Sequence, residues 1–131
     1  MYKIIFLMAG GALGTLSRFY VAGLSHRFLA GLMPWGTLVV NSTGAFFIGL
    51  FWGLFELKDV SPNTRMFIAV GFLGGFTTFS TFALETMNLL KENEFKLAAL
   101  NIFANNTLAI IFVFAGYFLA KTILTTLKQQ I

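Results

Sequence analysis

The 131-residue sequence has no cysteine, one histidine, two prolines and only five acidic residues against nine basic ones. Without cysteine there is no disulfide, no thiol nucleophile and no thiolate metal site. One histidine and five dispersed acids (Glu56, Asp59, Glu85, Glu92, Glu94) do not make a zinc cluster and weigh against most enzymes. Charged residues amount to 11%, against roughly a quarter in ordinary globular chains. A soluble chain this small has a high surface-to-volume ratio and needs many charges to cover it. The basic residues stand singly at the ends of apolar runs, with no stripe to track phosphates. Nucleic acid is therefore excluded as a partner, and the cations suit the headgroup level of a lipid bilayer.

What is present is apolar: 57% hydrophobic residues, 17 Phe, 13 Gly and a mean hydropathy of +0.81. The chain reads as an all-α integral membrane protein of one domain. A hydrocarbon core of about 30 Å takes roughly 20 apolar helical residues. Ile4–Leu24, Trp35–Phe55, Met66–Leu84 running on to about Leu90, and Leu97–Ala120 meet that length. Pro34 is placed to open the second span, and the loops 56–65 and 91–96 are short and polar. Lys3 before an apolar run permits a cleaved signal peptide. The run is longer than such an apolar region, however, and Gly10-x-x-x-Gly14 suits helix packing.

Alternation of span ends puts Lys3, Lys58, Arg65, Lys121 and Lys128 on one side and Arg18, Arg27, Lys91 and Lys96 on the other. So small a bias permits insertion in either orientation, and head-to-tail pairing with an inverted copy. The same near balance also follows from having few charges at all.

Polar residues inside spans are costly and need a reason. Asn41 lies a third of the way into the second span, where it either bonds a neighbouring helix or lines a pathway. In the third span, Gly71-Phe-Leu-Gly74-Gly75-Phe-Thr77-Thr78-Phe79-Ser80-Thr81-Phe82 sets paired glycines beside a hydroxyl run. Gly–Gly costs about 2 kcal/mol of helix propensity relative to Ala–Ala. A helix break in this segment would turn carbonyl oxygens inward, where they suit a small hard cation. Close packing through Gly71-x-x-x-Gly75 is the alternative. Phe79 and Phe82 share a helix face, and the edge of a phenyl ring is electropositive and can meet an anion without trapping it. In the fourth span, Asn101 and Asn105 lie one turn apart, next to Asn106 and Thr107. They form either a polar track or a capped helix end near Lys96. Arg18 and Glu85 are the only charges within or at the edge of a span, and neither is assigned catalysis. No Lys or Arg is expected at mid-membrane depth.

Gly-Thr-Leu-Val-Val-Asn41 with a following glycine, then Gly-Gly-Phe-Thr-Thr-Phe-Ser-Thr-Phe82 and Glu85, resembles the Fluc (CrcB) fluoride channels of bacteria over the whole chain. The resemblance implies four transmembrane helices with a break in the third, assembled as an antiparallel, dual-topology homodimer in the cell membrane that exports fluoride passively. It implies that Asn41 is the pore amide and that Phe79 and Phe82 line the pathway, with Ser80 and Thr81 supplying hydroxyls. The backbone carbonyls of Gly74 and Thr77 would hold a structural sodium ion at the dimer axis, and Arg18 would be structural. Asn101 and Asn105 are the candidates for the polar track of the fourth helix. Fluoride, the bilayer and an inverted second copy are the implied partners. The rivals are a small dual-topology multidrug exporter, which needs an intramembrane carboxylate that the first span lacks, and a non-conducting accessory subunit.

Overall fold

The structure is a computed structural model that describes residues 2–57 and 59–129; Lys58 and the side chain of Lys128, both used above in weighing topology, lie outside the described residues. Helix α1 (Tyr2–Phe28) is followed by α2 (Trp35–Leu57). The third crossing is composite: α3 (Pro62–Arg65), a π-helical stretch Met66–Phe72, α4 (Leu73–Phe76) and, after an interruption, α5 (Phe79–Lys91). The last helix is α6 (Phe95–Gln129). Four helical stretches, Tyr2–Phe28, Trp35–Glu56, Pro62–Lys91 and Phe95–Thr126, are long and apolar enough to cross a membrane. All four extend past the ends expected from hydropathy, the second by a single residue. α1 carries His26 and Arg27 in its last turn, where cations oppose the helix dipole. α3 starts early because the Ser61 hydroxyl caps it, accepting from the Thr64 amide at 3.2 Å, with Pro62 in the first turn.

Lipid supplies no hydrophobic drive for one helix to join another, so association depends on close backbone approach at small residues. α2 and α6 form the longest contact. A methyl group at Gly49 would run into the Val113 carbonyl, and one at Gly116 into that of Phe46. α1 packs against the π-helical stretch and α4, and glycines on both partners permit it. A Cβ at Gly10 would stand 2.5 Å from the Phe67 carbonyl oxygen, and one at Gly75 would stand 2.6 Å from that of Gly11. Gly10-x-x-x-Gly14 and Gly71-x-x-x-Gly75 are thus the two faces of one interface. The outward faces carry large apolar side chains such as Phe19, Phe103, Ile110, Phe114 and Phe118, as lipid contact requires.

The third crossing is broken as expected, at the hydroxyl residues that follow the paired glycines. Gly74 and Gly75 are helical, and the extended residues are Thr77 (φ −79°, ψ 158°) and Thr78 (φ −151°, ψ 116°). The glycines contribute clearance: Gly75 admits α1, while nothing lies within 4 Å of a Cβ built on Gly74. On the other side, Gly44 of α2 leaves room for the Thr77 methyl group.

Candidate functional site

Two extended residues inside a membrane helix leave backbone groups that need partners. Asn41 supplies them. Its Oδ1 accepts from the Thr78 amide at 2.9 Å and its Nδ2 donates to the Thr78 carbonyl at 3.1 Å, so the carboxamide pairs with that residue as a second peptide strand would. The Thr78 hydroxyl caps α5, accepting from the Thr81 amide at 3.3 Å and donating to the Thr81 hydroxyl at 2.9 Å. Thr78 is the hub of the break, and reading by residue type alone passed over it. The signal was present, because a threonine three residues ahead of a helical amide is a capping arrangement.

The other hydrogen of Asn41 Nδ2 goes to Asn105 Oδ1 at 3.1 Å. Asn105 Nδ2 donates to the Oδ1 of Asn101 at 2.8 Å and to its carbonyl at 3.2 Å. Asn101, 0% exposed, donates to the Thr86 hydroxyl at 2.9 Å, which donates to the Phe82 carbonyl at 2.8 Å. The two asparagines therefore lie deep inside α6 and do not cap its end. Thr86 was not singled out beforehand.

Two cavities flank the break. The larger, about 420 Å³, is lined by Asn41, Gly74, Thr77, Thr78, Phe79, Phe82, Asn105 and Asn106 among apolar neighbours, and none of its lining residues is charged. The Phe79 and Phe82 rings stand 5.2 Å apart and 59° to one another. Phe82 is 6% exposed and Phe79 is 74% exposed, so one ring is packed and the other stands on the outer face of the chain. The smaller cavity, about 270 Å³, lies on the far side of Thr78, with Arg18, Thr37, Thr78 and Thr81 in its wall. Ser80 and Thr81 are exposed at the start of α5. Asn101 lines neither cavity.

The expectation that no cation reaches the level of the break does not hold: Arg18 Nη1 donates to the Thr77 carbonyl, at a long 3.4 Å. The long Arg side chain reaches inward because the interrupted backbone offers it an acceptor there. Glu85 is held by the Thr37 hydroxyl, which donates to Oε1 at 2.7 Å, while Oε2 is buried without a partner. The Ser42 hydroxyl is likewise buried without one.

Among the described residues no group of His, Cys, Asp and Glu side chains can hold a metal. The carbonyl oxygens at the break remain, although that of Thr77 also accepts from Arg18. In a continuous helix the Gly74 carbonyl would accept from the Thr78 amide, but that amide is engaged by Asn41. Gly74 and Thr77 lie at the C-terminal end of α4, the negative end of its dipole. Neutral oxygens at a helix C-terminus fit a small hard monovalent cation.

The sequence profile described as "CrcB-like protein, Camphor Resistance (CrcB)" matches residues 5–117. A protein of Parabacteroides distasonis named "Fluoride-specific ion channel FluC" is 45% identical over 128 residues, covering 98% of this chain and all of that one. Proteins of the same name from Desulforapulum autotrophicum (43% over 123 residues, 93% of this chain and 98% of that one) and Pyrococcus horikoshii (44% over 119 residues, 90% and 95%) are similar along nearly their whole lengths. Matches of this extent favour neither a multidrug exporter nor an accessory subunit. With four apolar helices, an interrupted third crossing and this match across nearly its full length, the chain belongs to the CrcB-like family.

Proposed function

We propose that this chain forms a passive, fluoride-selective channel that lets fluoride leave the cytoplasm across the bacterial cell membrane. It is an ion pathway rather than an enzyme. The observation that carries the reading is the larger cavity at the break, whose wall includes Asn41, Asn105, Thr77, Thr78 and the Phe79 and Phe82 rings among apolar neighbours and no charged side chain. Fluoride is small and strongly hydrated, so a pathway has to replace its water with hydrogen-bond donors. Those donors have to be weak and arranged in series, because a site that binds tightly does not conduct. The relatives named as fluoride-specific channels support the choice of ion.

In this reading Asn41 offers the central donor. Both its N–H groups are engaged, one with the Thr78 carbonyl and one with Asn105 at 3.1 Å. An arriving anion takes the second of these in competition with the Asn105 oxygen, so binding costs a hydrogen bond and stays weak. The Phe79 and Phe82 rings present electropositive edges to the ion, and the Ser80 and Thr81 hydroxyls extend the path beyond the break. Asn105 stands beside the ion, with Asn101 behind it.

A second, inverted copy completes the assembly. It covers the exposed Phe79 ring and adds its own Gly74 and Thr77 carbonyls to a shared ring of oxygens. A sodium ion held there would be structural, its charge offsetting anions that pass at a distance. The near-balanced charge of the two membrane sides suits the inverted pairing.

The deciding experiment is fluoride and chloride efflux from liposomes that hold only the purified full-length chain. Fluoride efflux well above protein-free vesicles, with little chloride efflux, is expected. Vesicles that hold fluoride as tightly as empty ones, with the protein correctly inserted, would overturn the reading.

A further inference from the structure

We propose that Asn101 and Thr86 are positioning residues: a one-way series of side-chain hydrogen bonds running behind the pathway fixes which atom Asn105 turns toward the Asn41 donor. The inference rests on the channel reading above, although one arm of its test does not depend on conduction.

The direction of the series is dictated by backbone chemistry. The Thr78 amide can only donate and its carbonyl can only accept, so the carboxamide of Asn41 has one permitted orientation, Oδ1 to the amide and Nδ2 to the carbonyl. Its remaining N–H then faces Asn105, which has to present an oxygen at 3.1 Å. The Asn105 nitrogen is thereby turned toward Asn101, which has to present Oδ1 at 2.8 Å. The Asn101 nitrogen is left facing the Thr86 oxygen at 2.9 Å, and the single Thr86 hydroxyl hydrogen goes to the Phe82 carbonyl. Four successive donations point the same way, from α2 through α6 to α5, and each fixes the next. Such a series is strengthened by mutual polarisation, and it is costly to leave partly satisfied.

The reverse also holds. Asn101 is 0% exposed, so no solvent can replace a partner it loses. Without the Thr86 oxygen, a buried Asn101 N–H has no acceptor. The relief is to turn the amide over, which sets nitrogen against nitrogen at Asn105; if Asn105 turns over in response, its own nitrogen meets the Asn41 nitrogen. A hydroxyl that touches no ion would thus control which atom Asn105 offers the pathway amide. It also ties α5, and with it the Phe82 ring, to α6.

The test compares Thr86→Val, which keeps shape and removes the hydroxyl, with Thr86→Ser, which keeps the hydroxyl. In the detergent-solubilised full chain, side-chain amide NMR signals of Asn41, Asn105 and Asn101 should all shift in Thr86→Val and return to near wild-type positions in Thr86→Ser. In liposomes, Thr86→Val should lower fluoride efflux about tenfold, the equivalent of one lost buried hydrogen bond, and Thr86→Ser by no more than about twofold. Thr86→Ala serves as the second hydroxyl-free variant if Thr86→Val does not fold. Asn41 signals that stay in place in the hydroxyl-free variant overturn the proposal, whether or not efflux falls, because a purely local packing defect would behave that way. If the wild-type chain itself passes no fluoride, the channel reading fails and the amide signals alone decide the series.

Discussion

Replacing Asn41 separates two jobs that the structure gives to one side chain. Asn41→Ala removes three hydrogen bonds, at 2.9, 3.1 and 3.1 Å, and leaves the extended Thr78 peptide without partners. Bonds between membrane helices average about 0.6 kcal/mol and reach about 1.7, so the loss is about 2–5 kcal/mol of stability. Asn41→Asp differs in kind. It keeps an oxygen for the Thr78 amide but loses both donors, and it sets a negative charge beside the larger cavity. A like charge about 4 Å from a passing anion costs about 4 kcal/mol at an effective dielectric near 20, which is about a thousandfold in rate. The assay is initial fluoride efflux from liposomes, read with a fluoride electrode and paired with thermal unfolding in detergent. Asn41→Asp should lose conduction out of proportion to its loss of stability, whereas Asn41→Ala should lose both. An Asn41→Asp protein that folds and conducts within about twofold of wild type would refute the role of Asn41 as donor, given the size of the charge penalty.

Phe79→Ile and Phe82→Ile should each lower fluoride efflux by about tenfold or more if ring edges contact the ion, and unchanged efflux in both would remove the rings from the mechanism. Gly14→Ala drives a methyl group into the Phe72 carbonyl and should cost about 1–3 kcal/mol of thermal stability; a stability equal to wild type would contradict the α1 interface. Asn93, exposed in the turn between α5 and α6, gives a site for orientation. In a population inserted both ways, Asn93→Cys should react with a membrane-impermeant thiol reagent from both faces, and labelling from one face alone would exclude the inverted pair.

The four crossings were legible in the sequence because the length and hydropathy of a span are properties of a contiguous segment. The Gly10 and Gly71 spacings were legible for the same reason. The segment that holds the break was legible as well, but the residue at which it opens was not. Gly74-Gly75 is the weakest helical dipeptide locally, yet the chain stays helical there and opens at Thr77-Thr78, where Asn41, 37 residues away in sequence, offers a substitute for the lost backbone partners. Local propensity marked the region, and a tertiary partner selected the residue. Asn101 and Asn105 were recognisable as a pair from their spacing, but nothing local to α6 tells that the next member is Thr86 on α5. Arg18 was placed near a membrane face because charges usually go there, and it instead reaches the acceptor that the break exposes.

The π-helical stretch at Met66–Phe72 has a consequence for chain length. A wide turn accommodates a surplus residue relative to an α-helix. Deleting one residue there would restore the tighter winding and leave the following segment close to its present place, whereas the same deletion in the flanking α-helical turns would draw it back by about 1.5 Å and rotate it by about 100°. In the second case Thr77 and Thr78 would swing out of register with the amide on α2. The wide winding between Arg65 and Leu73 can therefore absorb a change in chain length that the α-helical turns on either side of it cannot.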